Sequence, residues 1–273
     1  MASSKREREL ARLRAERQAA RRAAAQAERL KRRNAILAGL SALAVAGVIV
    51  VIALVADDGS PSTLSTSPSA SPPPGGCSYS PSGTASKKVS GLPASPPAKK
   101  SDVKVALTTN RGEIDLTLHG KQAPCTTGSF TFLAGQKYFD GTSCHRLTTA
   151  GIFVLQCGDP SGSGSGGPGY QFADENLSAF NTATCTPETN ATKPCQVIYP
   201  RGTVAMANGG AGTNGSQFFL VYKDSPLGPA YTPFGTITKG LDLLDTVAKA
   251  GSTPVNDGKP NNAVMITTAK VQN

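Results

Sequence analysis

The sequence contains no tryptophan, only two histidines (His119 and His145) and just 5% aromatic residues. With apolar residues at 38%, a chain of 273 residues is too lean to be packed core throughout, and it reads as one domain with appendages. No serine sits in a nucleophile elbow and no acidic pair carries an acid–base pattern. No nucleophile stands beside a base, which argues against covalent and general acid–base catalysis. No cysteine spacing matches a zinc site, and neither metal nor cofactor is expected. Outside the first 34 residues there is also little excess positive charge. The net charge is +10, but residues 1–34 hold twelve basic and four acidic side chains, and the remainder is nearly neutral. That excludes a basic groove spread over the main domain, so no nucleic-acid partner is expected.

Charge is absent altogether from Ala35 to Ala56, AILAGLSALAVAGVIVVIALVA. A helix of this length rises about 33 Å, enough to cross a bilayer core. A buried helix of a soluble protein and a cleaved signal peptide are the alternatives. The run exceeds a usual signal core, and Leu54-Val55-Ala56 lacks a small residue at its first position. Lys31, Arg32 and Arg33 precede the run and Asp57 and Asp58 follow it, so the positive-inside rule places the N-terminus in the cytoplasm and the rest outside. Residues 1–34 are rich in Ala, Arg, Glu, Gln and Leu and predict a basic helical arm near anionic head groups. Nucleic-acid or ribosome contact and a short coiled coil are the other readings of that arm.

Residues 57–101 predict a Ser/Pro-rich linker and extension. Between Asp57 and Gly76, fourteen of twenty residues are Ser, Pro or Gly, the composition of a disordered tether. Beyond it, Cys77 and Tyr79 suggest an extension pinned to the following domain. From residue 102 the texture is that of a folded domain running to 273. Val103–Leu107 and Glu113–Leu118 alternate around Asn110-Arg111-Gly112, which predicts a hairpin. Further strands are expected near Ser143–Leu147, Phe153–Cys157, Gly202–Asn208, Gln217–Tyr222, Pro233–Thr238 and Ala263–Val271. Helices are expected over Ala123–Gln136 and Leu241–Ala250, the second ended by Gly251. Many short strands with two helices suggest a closed barrel with helical plugs.

The chemistry-bearing residues fall in a fixed order: FDGTSCHRL, with His145-Arg146; FVLQCGD, with Gln156; GYQFADE; Met206-Ala207-Asn208; TNGSQFF, with Gln217 and Phe219; and Phe234-Gly235. They comprise one guanidinium, several carboxamides and several aromatics. Over roughly residues 103–271 this order resembles the cyclophilin family of peptidyl-prolyl cis-trans isomerases. The resemblance implies a mainly β fold, a closed eight-stranded antiparallel barrel capped by two helices; the apolar run and the Ser/Pro-rich stretch add a single transmembrane helix and a disordered linker before it. It implies that Arg146 is the catalytic arginine. It also implies that Phe153, Val154, Gln156, Ala207, Asn208, Gly209, Gln217, Phe219, Leu227 and Tyr231 bind substrate. Tyr231 stands where many members have histidine. The segment between Arg146 and Phe153 is two residues longer than the family's usual form, Val154 is shorter than the family's methionine, and the tryptophan that many members use to bind cyclosporin is missing.

The physical reading stands beside the resemblance. An X-Pro bond turns over a barrier of about 18–20 kcal/mol because the nitrogen lone pair is shared with the carbonyl. Twisting localises that pair, so a guanidinium aimed at the nitrogen binds the twisted state more tightly than the planar one. Arginine suits the task because it stays charged and presents a fork of donors. Phe153, Phe219 and Leu227 would form the slot for the proline ring, while Gln156 and the Asn208 backbone would anchor the peptide. His145 reads as a structural polar residue, and Gly162–Gly169 as a flexible loop rimming the groove rather than a phosphate cradle.

The six cysteines, at 77, 125, 144, 157, 185 and 195, all follow the apolar run. In an oxidising space an even number favours disulfides. Cys185 and Cys195 bracket TPETNATKP and could close it as a loop, and Cys77 could pin the extension. Six cysteines allow fifteen pairings, and the sequence leaves the choice open. Two readings of function remain: a membrane-anchored, outward-facing isomerase acting on Pro-containing exported or unfolded polypeptides, and a non-catalytic Pro-peptide-binding chaperone or scaffold of the same fold. The oligomeric state is left open.

Overall fold

A computed structural model describes residues 76–97, 101–180 and 195–272. The basic arm, the apolar run at 35–56, the tether as far as residue 75, and the insertion containing Cys185 lie outside the described residues. Among the described residues, no helix is long and apolar enough to cross a membrane.

The chain enters through a two-residue strand, β1 (Ser80–Pro81). The predicted hairpin follows as β2 (Val103–Thr109) and β3 (Gly112–Leu118), paired in register from Val103 opposite Leu118 to Thr109 opposite Gly112. Alternation decides its faces: Val103, Val105, Leu107, Ile114, Leu116 and Leu118 are all buried. Helix α1 (Pro124–Gly135) starts at a proline, but its cap residue Ala123 supplies no side-chain bond. The orphan donors go instead to a distant carboxylate. Glu175 accepts from the N–H of Cys125 at 3.0 Å and from the N–H and hydroxyl of Thr126, both at 2.7 Å. A negative group at a helix N-terminus is also favoured by the macrodipole.

One strand was expected over Ser143–Leu147. The structure divides this stretch into β4 (Thr142–Ser143) and β5 (Arg146–Thr148). The break has a simple cause: the chain changes partner. The Cys144 N–H donates to Val264 O at 2.8 Å, and the next N–H, that of His145, donates to Gln156 O at 3.0 Å. Then come β6 (Val154–Cys157), β7 (Tyr170–Gln171), β8 (Val197–Tyr199), β9 (Thr203–Met206), β10 (Phe218–Val221), β11 (Ser225–Leu227) and β12 (Pro233–Lys239). Helix α2 (Leu241–Lys249) buries Leu244 and Val247, and Gly251 follows it at φ 75°, donating to Ala248 O at 3.0 Å. The last strands are β13 (Ser252–Thr253), β14 (Asp257–Pro260) and β15 (Met265–Gln272).

Eleven of these strands form one curled antiparallel sheet, in the order β13-β14-β5-β6-β10-β9-β12-β3-β2-β15-β4. Among the described residues the fold is mainly β with two helices, as expected. The ladder itself is more finely divided than the eight strands expected, because changes of partner and register shifts break it into short pieces. The main core lies on one face of the sheet, where Phe130 of α1 stacks on Phe139 at 4.7 Å and meets Phe218 edge-on at 5.2 Å. Leu133, Leu244 and Val247 join it from the helices.

Residues 76–97 form a strap pinned to the domain. The Cys77–Cys125 disulfide ties its start to α1, and β1 pairs with β7. Tyr79 meets Tyr170 and Phe172 edge-on, each at 5.5 Å, and donates its hydroxyl to Cys125 O at 2.8 Å. Burial raises the Tyr79 hydroxyl well above the usual phenol range, so it stays a donor. Farther along, Lys87 Nζ donates to the carbonyls of Lys137 and Asp140, both at 2.7 Å.

Candidate active site

The site lies on the sheet face opposite the main core. Along β6 and β10 successive side chains alternate between faces. Leu155, Cys157, Phe218 and Leu220 belong to the core, while Val154, Phe219 and Val221 belong to a second apolar cluster with Ala205, Val197 and Tyr199. Three register pairs set the geometry: Arg146 faces Gln156, Gln156 faces Phe219, and Phe219 faces Ala205. Directly opposed residues share a face with Cβ atoms about 4.5–5.5 Å apart. One row across four strands therefore runs guanidinium, carboxamide, aromatic ring, methyl.

Arg146 is held on two sides. Its Nε–H and Nη2 donate to the two carboxylate oxygens of Asp257 at 2.7 and 2.8 Å, and Nη1 donates to Gln156 Oε1 at 3.3 Å. The hydrogen bond to Asp257 raises the arginine pKa further, and the same bond lowers that of Asp257, so the pair stays ionised. From Gln156 a chain of amides continues. Its Nε2 donates to Gln217 Oε1 at 2.9 Å, and Gln217 Nε2 donates to Gly164 O at 3.0 Å and Gly166 O at 2.9 Å. Each amide is fixed in orientation by its neighbours, because only one flip satisfies both ends.

The apolar part centres on Phe219. Tyr231 meets its ring edge-on at 5.6 Å and Tyr199 lies behind at 6.2 Å. Ile152, Leu227, Ala207 and Phe180 border the cluster. Tyr199 donates its hydroxyl to Tyr231 O at 2.8 Å, and burial pushes its pKa up to about 12. Of the residues expected to bind substrate, Val154, Phe219, Leu227, Tyr231 and Ala207 come together. Phe153 does not join them. It packs against Tyr222 with ring centroids 6.1 Å apart, beneath Lys223 Nζ at 4.5 Å. Alternation explains this: Phe153 precedes Val154, so if Val154 faces the slot, Phe153 faces away. Ile152, one residue earlier, borders the slot on the Val154 side.

Asn208 and Gly209 follow β9. Asn208 Nδ2 donates to Ala230 O at 2.8 Å and to Asp174 Oδ1 at 3.2 Å, while the Gly209 N–H donates to Thr213 Oγ1 at 2.9 Å. Gln156, Ala207, Asn208, Gly209 and Gln217 line a cleft of about 500 Å³ whose other wall includes Ser82–Thr84 of the strap and Gly164–Pro168.

The glycine-rich run at the rim was expected to be flexible; its backbone is wrapped around a carboxylate. Asp159 accepts five hydrogen bonds, from the N–H and hydroxyl of Ser161, the hydroxyl of Ser163, and the N–H groups of Gly164 and Gly166. Burial alone would raise its pKa, but these donors outweigh it and hold the value at about 2. Glycine is required at 166, where a Cβ would collide with the Asp159 carboxylate. His145, half-buried beside Arg146, has its pKa lowered chiefly by desolvation, which favours the neutral ring.

Asp257, Tyr199, Ile152 and Asp159 were missed by the sequence reading. Only Asp159 carried a local signal, a single acid followed after Pro160 by a run of Ser and Gly donors. Asp257 lies 111 positions from Arg146, and nothing local announces it.

Comparison with known proteins decides the family. The model for "Cyclophilin type peptidyl-prolyl cis-trans isomerase/CLD" matches residues 104–271. The chain belongs to this family. The "Probable peptidyl-prolyl cis-trans isomerase B" of Mycobacterium tuberculosis is 50% identical over 196 residues, 70% of this chain and 62% of that protein. Its counterpart of the same name in Mycobacterium leprae is 47% identical over 199 residues, 70% of this chain and 64% of that protein. This chain thus spans less than two thirds of the length of these relatives. The "Peptidyl-prolyl cis-trans isomerase B" of Streptomyces anulatus is 37% identical over 184 residues, 61% of this chain and 94% of that protein. Among solved structures, the cyclophilin-type isomerase of Cryptosporidium parvum superposes with a TM-score of 0.50 at 29% identity, covering 63% of this chain and 98% of that one.

Proposed function

We propose that the cyclophilin domain catalyses cis-trans isomerisation of X-Pro bonds, with Arg146 stabilising the twisted amide. The row Arg146–Gln156–Phe219 is the observation that carries this reading, because it sets a fixed guanidinium beside a ring able to hold a proline. The proline ring lies over Phe219, walled by Val154, Leu227 and Tyr231. Gln156 and the main chain at Ala207–Gly209 hold the peptide, and Gln217 braces Gln156. As the amide twists, its nitrogen becomes a better acceptor, and an arginine N–H bonds it more strongly than in either planar state. No bond to the substrate forms or breaks, and no proton is transferred.

The sheet, in this reading, closes as a barrel through Thr142–Thr148, whose two halves pair with β15 and β6. The segment at 35–56 is a transmembrane anchor, the domain faces away from the cytoplasm, and the substrates are Pro-containing polypeptides arriving by export. Cys185 pairs with Cys195, which is disulfide-bonded.

A protease-coupled assay on a proline peptide tests the mechanism. Arg146→Ala is expected to lower turnover on the order of 100- to 1,000-fold, the loss typical of one preorganised donor, with an unchanged melting curve. Near-wild-type turnover in the folded variant would remove Arg146 from the mechanism. Wild-type protein that binds proline peptides without turning them over would establish the binding-module reading instead.

A further inference from the structure

Arg146 stands about 40% exposed, and long exposed side chains ordinarily sample many rotamers. A transition-state donor cannot afford that freedom. The guanidinium has five N–H bonds. Asp257 takes two in a parallel fork and Gln156 takes one, leaving two for a substrate. The carboxylate is itself well placed. Asp257 opens β14 directly opposite Thr148 of β5, and the adjoining turn is fastened where the Thr149 N–H donates to Asn256 O at 2.9 Å. The two strands therefore carry acid and base on adjacent, hydrogen-bonded backbones.

As a source of stability such a pair counts for little. Asp257 is 55% exposed, and exposed ion pairs add little to stability. A two-point fork does something else well: it fixes the plane of the guanidinium, which a single contact cannot. Gln156 then fixes the remaining edge, and it is itself braced by Gln217.

We propose that Asp257 is a positioning residue for Arg146, acting through the fork to hold the two remaining N–H bonds toward the prolyl nitrogen without touching substrate. This rests on the isomerase reading. A misplaced catalytic group costs up to about 100-fold, so Asp257→Ala is expected to lower kcat roughly 10- to 100-fold, with KM within twofold of wild type and an unchanged melting temperature. Asp257→Glu, which keeps both oxygens on a longer stem, is expected to recover part of the loss. In an Arg146→Ala background, Asp257→Ala is expected to cause no further loss, since the arginine it positions is gone.

A second measurement does not need turnover. The Arg146 Nε–H is expected to be slow to exchange in wild-type protein and fast in Asp257→Ala, read from nitrogen-15 spectra. Wild-type kcat in Asp257→Ala, a loss confined to KM, an undiminished loss in the Arg146→Ala background, or an Nε–H unaffected by removing the carboxylate would each overturn the proposal. Wild-type protein without turnover would sink the isomerase reading alone, and the Nε–H exchange would still decide the role of Asp257.

Discussion

Single side chains order this site over long sequence distances, and carboxylates do much of that work. Glu175 closes the start of α1, Asp257 holds Arg146, and Asp159 gathers the glycine-rich rim. Asp159 makes a pH prediction with a definite sign. Its pKa in the folded protein, about 2, lies below the ordinary aspartate value of about 3.9. The folded state binds this proton less readily than the unfolded chain, so the stabilisation is complete above about pH 4 and is lost as pH falls through 2. The Gly164 and Gly166 amides are expected to be protected from hydrogen exchange above that range and to open below it. Asp159→Asn is expected to abolish the acid step. An acid transition at those amides that persists in the asparagine variant would assign it to another group. Neither Glu175 nor Asp257 was legible as a partner in the sequence, because their partners come from distant elements, whereas the donors to Asp159 all lie within seven residues of it. Val154 and Phe219 sit inside the quoted motifs, on strands whose alternation puts them on one face, whereas Leu227, Tyr231, Ile152 and Tyr199 join the slot from outside those motifs. Phe153 shows the limit of reading by motif: just ahead of β6, its ring packs on Tyr222 and the main core while Ile152 and Val154 join the slot cluster.

Elements were legible where local pattern decides them and not where partners do. The hairpin, both helices and the αL glycine after α2 follow from alternation, apolar spacing and capping chemistry. The division of Thr142–Thr148 follows from a change of neighbour that no local pattern encodes. Disulfide pairing is of the same kind. Cys77–Cys125 and Cys144–Cys157 join elements that only the fold brings together. The second bridge ties the approach to β5 to the end of β6, beside the strands that carry Arg146 and Gln156. The first closes a separation of 48 residues, for which the chain-entropy model gives about 4 kcal/mol. Cys77→Ser is expected to lower unfolding stability by up to about that amount. Tyr79 should limit the loss by keeping the strap in place. Urea titrations of the oxidised variant and wild type check this. Equal midpoints and slopes would mean that the strap is held by Tyr79 and β1 alone.

At the scale of the whole molecule, the described domain is nearly neutral in composition while the first 34 residues carry most of the net charge. That separation is the basis of the proposed topology. In that proposal, twelve basic residues before an uncharged run of 22 keep the basic end in the cytoplasm, because moving those charges across the bilayer is unfavourable. Disulfides in the domain fit the same direction, since such bonds persist in oxidising compartments and are rare where thiols are kept reduced. A reporter fused after Asn273 is therefore expected to be active only outside the cytoplasm, and one fused before Met1 only within it, both remaining with the membrane fraction. If the C-terminal reporter is active in the cytoplasm, the orientation fails and the bridges need another source of oxidation. A soluble product beginning near Asp57 would show that the uncharged run is cleaved after export, leaving the sidedness of the domain intact and removing the anchor.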